Sequence, residues 1–427
     1  MPHLITWTRA SKKIRVGIGQ PAPAMSLLHQ TTHLAGANAV RFRRSCRVKA
    51  ELAHGTSTTT LQDPPRQPQP PSFPLPAKIF YSLINLVLCF AKRRDGTLNR
   101  RCISFLDAVR SPPDPDGGPD GVATSDHVVD PERNLSVRYY SPPPAEEIRD
   151  GQVALPVVVY FHGGGFVTGS TAAPQFDGFC RRLSKQLPAR VVSVDYRLAP
   201  GHRYPAPCDD GVAVLRWLDG GSGLFIDDLS AVFLAGDSAG DNIAHHVARR
   251  AAAEERYERT RVLGLVAIQP FFGGEEDTES ERRLPFVSRR NLKWLWRIYL
   301  PEGSDSDHEA ANVFGPGSST SSSWSKGEWT HFPATMVVVG GLDSLQDRQR
   351  WYYEGLKRMG VEAYLVEYPN AIHSFHVLPG NADAQQLVRD VADFVRRKCE
   401  EAVWTRRSLG GWKWTPEVWK SNGFFDQ

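Results

Sequence analysis

Residues Ala231–Arg250 read AVFLA, then GDSAG, then DNIAHHVARR. The first five suit a strand covered on both faces, and the last ten suit a helix. Between them Gly236-Asp237-Ser238-Ala239-Gly240 fits the pattern G-x-S-x-G. Alone, those three fixed positions recur by chance in about one chain in seven of this length, so the context decides. A strand that turns directly into a helix brings backbone against side chain, and glycine on both sides of Ser238 removes the clash. Such a turn lifts the Ser238 hydroxyl above the sheet edge. It also aims the oxygen at the helix N-terminus, whose positive dipole end favours developing negative charge. The bland alternative is a Gly-rich strand-to-helix turn with an inert serine, and in this context it is the weaker reading.

The alternation extends outward from this turn. Short β-branched runs predict strands at 135–140, 157–161, 191–195, 231–235, 263–268, 335–339 and 363–368. Helices are predicted at 177–187, 208–218, 239–252, 289–299, 346–359 and 384–398. Runs such as VVVYF and TMVVVG carry no polar alternation, as expected of strands with both faces covered. Strand and helix in turn imply an α/β protein with a mostly parallel central sheet flanked by helices. Right-handed crossovers place the loops that follow the strands along one edge, where sites in such sheets form.

A serine hydroxyl is a weak nucleophile until a base takes its proton. In the order that goes with this turn, the acid and then the histidine follow the serine in the chain. Asp343 lies just past the strand predicted at 335–339, and His373 just past that at 363–368. Asp347 falls inside the next predicted helix and His376 lies further from its strand end, so Asp343 and His373 are preferred. Upstream, His162-Gly163-Gly164-Gly165-Phe166 directly follows the strand VVVYF. Successive glycines let bare N–H groups point into a cavity, as a tetrahedral oxyanion requires. Gly164 and Gly165 are the expected donors, with the N–H of Ala239 as a third. A phosphate-cradling reading fails because the loop has no lysine and G-x-x-x-x-G-K-[ST] is absent. His245 and His246 point away from the turn and read as packing or surface residues. Asp209 and Asp210 read as caps of the helix after Pro207.

Composition bounds the rest. Hydrophobic residues at 41% and charged residues at 23% supply one large core and argue against wholesale disorder or a multi-span membrane protein. Six cysteines without CxxC spacing argue against a zinc site and a disulfide scaffold, and fit a reducing compartment. Residues 1–50 hold nine Lys or Arg and no Asp or Glu. Against a net charge of +4 for the whole chain, this leaves −5 on residues 51–427, a balance unsuited to a nucleic-acid binder. The basic segment resembles an organelle transit peptide. The bland reading, favoured here, is an extension without a role, initiation falling at Met25 or beyond. Residues 63–76 carry seven prolines and form a stiff linker. The apolar run Ile79–Ala91 is too short to span a bilayer and reads as a helix buried against the domain. The expected organisation is an extension at 1–72, one domain at 73–400 with a lid at about 75–105, and a tail at 401–427 with no assigned role.

HGGGF, DYRLAP (Asp195–Pro200), GDSAG, and GLD with a trailing HSF together resemble the hormone-sensitive-lipase-like group of α/β-hydrolases. Within it the chain looks most like plant carboxylesterases related to gibberellin receptors, as RRDGTLNRRCISF (Arg93–Phe105) and IQPFFGGEE (Ile268–Glu276) do in particular. The resemblance spans roughly residues 75–400. It implies an α/β-hydrolase fold with an N-terminal helical lid, a triad of Ser238, Asp343 and His373, and an oxyanion hole in the 163–165 glycines. It also implies a small-molecule ester substrate, no metal or cofactor, no membrane span, and a cytoplasmic location, or a plastid one if residues 1–50 are a transit peptide. Gly201 and Asp241 depart from the family pattern outside the triad. Two functions compete. One is a serine carboxylesterase; the other is a gibberellin-receptor-like binding protein without turnover. In the receptors an aliphatic residue replaces the base, whereas His373 is present here.

Overall fold

In a computed structural model, residues 75–143, 155–253, 257–315 and 326–407 are described, apart from 105–106, 225, 227, 285–286 and 379. The extension at 1–72, the tail beyond 407 and most of the Ser-rich stretch near 320 lie outside the described residues.

An eight-stranded sheet forms the centre, in the order β1-β2-β4-β3-β5-β6-β7-β8. Its strands are β1 (Ala123–Asp130), β2 (Leu135–Ser141), β3 (Val157–Phe161), β4 (Arg190–Asp195), β5 (Val232–Asp237), β6 (Val262–Ile268), β7 (Ala334–Gly340) and β8 (Ala363–Tyr368). From β4 across to β8 all neighbours are parallel, while β2 runs antiparallel to both β1 and β4. β3, β5 and β7 are buried along their whole length, which is why their sequences lack alternation. The pleat of β3 still divides its side chains between two cores. Val157, Val159 and Phe161 join the core on one face, and Val158 and Tyr160 join the core on the other.

The helices are α1 (Leu75–Ala91), α2 (Arg100–Ser104), α3 (Pro174–Gln186), α4 (Ala206–Asp219), α5 (Ala239–Ala253), α6 (Glu279–Arg283), α7 (Arg289–Tyr299), α8 (Gln346–Arg358) and α9 (Ala382–Arg407). Local chemistry sets several of their starts. Proline occupies the first turn of α3 and of α4, where a missing N–H costs nothing. Thr278 and Glu281 form a capping box on α6, and the Ser288 side chain caps α7. Side chains of α4, α5 and α8 fill the first core, and those of α3 and α9 fill the second. The chain runs from β3 outward to β4, then returns to β5 on the opposite side of β3. That reversal opens a crevice at the carboxyl ends of β3 and β5.

Some expectations need correction. Helix α1 is not buried throughout. Leu88 and Ala91 face inward, whereas Ile79, Leu83, Leu86 and Phe90 are exposed, Phe90 at 68%. Asp209 and Asp210 are not caps, since α4 begins before them at Ala206. Asp210 accepts hydrogen bonds from the Arg197 backbone N and guanidinium, and Asp209 from Arg250. Strand β1 and helix α6 lie outside the predicted elements, while α2 falls within the expected helical lid at about 75–105. Among the described residues no helix is long and apolar enough to cross a membrane, and the five described cysteines are free.

Candidate active site

Ser238 sits between β5 and α5 with a left-handed backbone, φ 54°. Such a conformation is disfavoured for a residue with a side chain, and its surroundings hold it there. The Ser238 N–H donates to Ile268 O at 2.9 Å, and its carbonyl accepts from Phe271 N at 3.0 Å. The flanking glycines are required by contact. A Cβ on Gly236 would lie 2.5 Å from the Gly240 carbonyl, and one on Gly240 would lie 2.0 Å from Phe161 O. The turn is thus pressed against the end of β3, and Ser238 remains 9% exposed.

The loops after β7 and β8 bring Asp343 and His373 to this point. The two loops are stitched together by the Leu342 N–H donating to Ala371 O and the Gly341 N–H to Tyr368 O. His373 Nδ1 lies 2.7 Å from Asp343 Oδ2, and its Nε2 lies 3.0 Å from Ser238 Oγ. A proton on Nδ1, donated to Asp343, leaves the Nε2 lone pair directed at the serine hydroxyl. Asp343 is fully buried. Its Oδ1 accepts from Leu345 N, and its Oδ2 also accepts from the side-chain amides of Gln269 and Gln349 at 3.1 and 2.6 Å.

The His162–Gly165 loop leaves β3 beside the same turn. Gly163 N–H donates to Asp237 Oδ1 at 2.8 Å, and the Tyr160 hydroxyl donates to the same oxygen. Burial raises the Asp237 carboxyl to about 6, against the lowering effect of those two hydrogen bonds. His162 is buried as a structural part of the loop. Its Nδ1–H donates to Gly163 O, its ring stacks on Tyr196, and its own carbonyl accepts from the Tyr196 hydroxyl. Gly164 and Gly165 have φ values of 118° and 61°, and a Cβ on Gly164 would meet Thr168 O at 2.1 Å. Both glycines line a cavity together with Ser238 and His373. Ala239 opens α5, so its N–H has no partner within the helix.

That cavity holds about 210 Å³ and has mostly apolar walls. Ile84, Val87 and Leu88 of α1 and Ile103 of α2 cover one side, Phe176 and Phe271 contribute rings, and Leu292 and Leu295 come from α7. The cover is tied down by polar contacts. Arg100 donates to the carbonyls of Val167, Leu198 and Ala199, and Asp107 accepts from the Thr168 hydroxyl and Gly169 N. Trp294 Nε1 donates to Gly96 O.

The rival residues lie elsewhere. Asp347 accepts from Ser280 N rather than from a histidine. His376 is buried beneath the serine turn with Nε2 3.6 Å from Asp237 Oδ2. The spacing is that of an ion pair, but burial pushes the imidazole down to about 3 while raising the carboxyl, so the histidine stays neutral. His245 and His246 are buried packing residues rather than surface ones. His245 Nδ1 is 2.8 Å from the Tyr352 hydroxyl, His246 Nε2 is 3.2 Å from Ala310 O, and burial lowers both imidazoles. Of the departures from the family pattern, Gly201 is on the exposed surface. Asp241 is buried behind the turn, and its carboxyl is pushed well up by burial and by Asp237. Sequence reasoning missed Gln269 and Gln349. A glutamine ending the apolar run VLGLVAI was the available signal for the first, and the second had none. Among the described residues no group of three or more His, Cys, Asp or Glu side chains could hold a metal ion.

Comparison with known proteins agrees with this architecture. A family profile described as the α/β-hydrolase fold matches residues 158–377. The chain is 41% identical to the gibberellin receptor GID1C of Arabidopsis thaliana over 77% of this chain and 95% of that one. It is 36% identical to carboxylesterase 20 of the same plant, over 71% and 91% of the two chains. The chloroplastic tuliposide A-converting enzyme 1 of Tulipa gesneriana is 32% identical, over 79% and 85%. Among solved structures, an esterase of Pyrobaculum calidifontis aligns with a TM-score of 0.58 and 26% identity, over 76% of this chain and 98% of that one. The chain therefore belongs to the α/β-hydrolase family, among its carboxylesterase-like members.

Proposed function

We propose that the protein is a serine carboxylesterase acting on small carboxylic esters. The observation that carries the reading is the unbroken hydrogen-bonded chain from Asp343 through His373 to Ser238, at 2.7 and 3.0 Å, at one end of an apolar cavity. Ser238 Oγ attacks the ester carbonyl while His373 Nε2 takes its proton. Asp343 holds the ring in the required tautomer and stabilises the imidazolium. The negative charge that develops on the carbonyl oxygen is met by the N–H groups of Gly164, Gly165 and Ala239. His373 then returns the proton to the leaving alcohol, and an acyl group remains on Ser238. A water molecule, activated by the same imidazole, releases the acid in a second pass through the same steps. None of these steps draws on a metal or cofactor.

The test is hydrolysis of acyl esters of graded chain length by the purified protein, with labelling by a serine-directed phosphonate. Ser238→Ala should lose both. Turnover and labelling that survive the substitution would overturn the assignment. A second reading, a small-molecule receptor without turnover, is favoured by the 41% identity to a gibberellin receptor. Wild-type protein that binds a gibberellin-like acid but hydrolyses no ester would establish it. A cytoplasmic location goes with the first reading, while the chloroplastic name of the tulip relative favours the plastid. A reporter fused to residues 1–60 decides between them.

A further inference from the structure

We propose that Gln269 is a positioning residue that clamps the base-bearing loop to the acid, so that the His373 ring stays aligned while the serine proton moves. The proposal deepens the esterase reading and rests on it for the roles of Asp343 and His373.

Gln269 follows the last residue of β6, between the serine turn and the two later loops. Its side-chain Nε2 donates to Asp343 Oδ2 and to Ile372 O, both at 3.1 Å. Its Oε1 accepts from Ser374 N at 2.8 Å. One carboxamide therefore holds the acid, the residue before the base and the residue after it. Only one orientation of the amide serves all three bonds. Turning it over would set oxygen against a carboxylate and a carbonyl, and NH₂ against an N–H.

Three further observations mark this as a built feature. Gln269 adopts φ 48°, a conformation disfavoured for its residue type, which directs the side chain to this point. Gly340 leaves the room it needs, since a Cβ there would stand 2.4 Å from Gln269 Nε2. Ser374, next to the base, also has a left-handed backbone, φ 61°. A loop held in such a conformation needs ties from outside itself, and Gln269 supplies them on both sides of His373. Gln349 differs: its amide reaches Asp343 alone.

The test compares Gln269→Leu, Gln269→Glu and Gln349→Leu with wild type by ester kinetics and by NMR of the His373 Nδ1 proton. Gln269→Leu should lower kcat by about ten- to a hundredfold, as expected for a lost hydrogen bond to a charged group, with KM little changed. It should also broaden the Nδ1 resonance. Gln269→Glu can donate to Asp343 only when protonated, and two adjacent carboxyls share a proton at raised pH. Its rate relative to wild type should therefore climb as pH falls, a trend absent from Gln269→Leu. Gln349→Leu removes a donor from Asp343 Oδ2 but no tie on the base loop, so it should shift the resonance without broadening it, and broadening is what separates the two variants. If Gln269→Leu does not fold, Gln269→Asn, one methylene shorter, carries the same readouts. An unchanged Nδ1 resonance and kcat in Gln269→Leu, or a Gln269→Glu profile parallel to wild type, would overturn the clamp. The NMR readout needs no substrate, so absence of ester turnover would sink the esterase reading and still leave the clamp tested.

Discussion

Replacing Asp343 by asparagine tests the acid role proposed for it, because its surroundings dictate which way an amide must sit. Oδ2 of Asp343 accepts from three nitrogens, on His373, Gln269 and Gln349, while Oδ1 accepts only from Leu345 N. In Asp343→Asn the amide oxygen goes where three donors point, and the NH₂ is left against the Leu345 N–H. The His373 tautomer is then kept, and what disappears is the negative charge opposite the imidazolium. In a serine protease where the same change reverses the tautomer, the loss is about 10⁴ in kcat. Here the loss is that of one partner of a buried charge pair, about 3–5 kcal/mol, or roughly 10²- to 10⁴-fold in kcat. The unsatisfied Leu345 N–H adds about 1–3 kcal/mol of destabilisation. Asp347→Asn serves as the control, because Asp347 bonds to Ser280 N and its side chain is 37% exposed. Its effect should stay within about threefold, as for a substitution away from the reacting groups. The measurements are kcat on a short acyl ester at about pH 8, well above an ordinary histidine pKa, and urea unfolding of each variant. Equal losses in the two variants, or an Asp343→Asn enzyme close to wild type, would refute the reasoning.

Two further outcomes follow from the same neighbourhood. Asp237 has a native pKa raised from 3.8 to about 6 by burial. The folded state thus keeps a proton that the unfolded chain has lost, and the contribution of Asp237 to stability falls as pH rises from about 4 to about 6, then levels off. Asp237→Asn, whose oxygen can still accept from Tyr160 and Gly163, should gain on wild type across that window by up to about 3 kcal/mol. A stability difference by urea unfolding that does not change with pH would contradict this. Gly240→Ala places a methyl 2.0 Å from Phe161 O and 2.5 Å from His162 O, backbone atoms that cannot rotate away. It should destabilise by about 3 kcal/mol and cut turnover more than tenfold by parting the serine turn from the glycine loop. A wild-type urea midpoint and kcat would show that the contact is not a constraint.

The parts of this protein that were legible in its sequence are those whose cause is local. VVVYF, AVFLA and TMVVVG announce strands because each is buried on both faces. GDSAG and HGGG announce their turns because Gly236 and Gly164 each answer a contact four residues on. Strand β1 escaped notice because it lies at the sheet edge with mixed exposure, and its pairing shifts register between Val128 and Asp130. Helix α6 is five charged or polar residues whose one signal is its capping box, with no apolar stripe to follow. Asp343 and His373 could be placed from their positions past strand ends. The amides of Gln269 and Gln349 could not, because their meaning depends on contacts 74 and 6 residues away. Likewise the exposed ridge of α1 is invisible in a run where Ser82 and Asn85 alone break the apolar pattern.

The arrangement of the site on four separate loops also bears on how the protein is made. His373 reaches back 135 positions to Ser238, and β8, whose following loop carries it, is the last strand of the sheet in chain order. Closing so long a loop is slow and comes only once the intervening strands have docked. A chain emerging from the ribosome therefore presents its serine turn long before its imidazole, and on the proposed reading it should be inert toward esters at every stage short of a complete sheet. On the proposed esterase reading, reactivity of Ser238 toward a phosphonate during refolding should report the arrival of the loop after β8, which brings His373 to the hydroxyl.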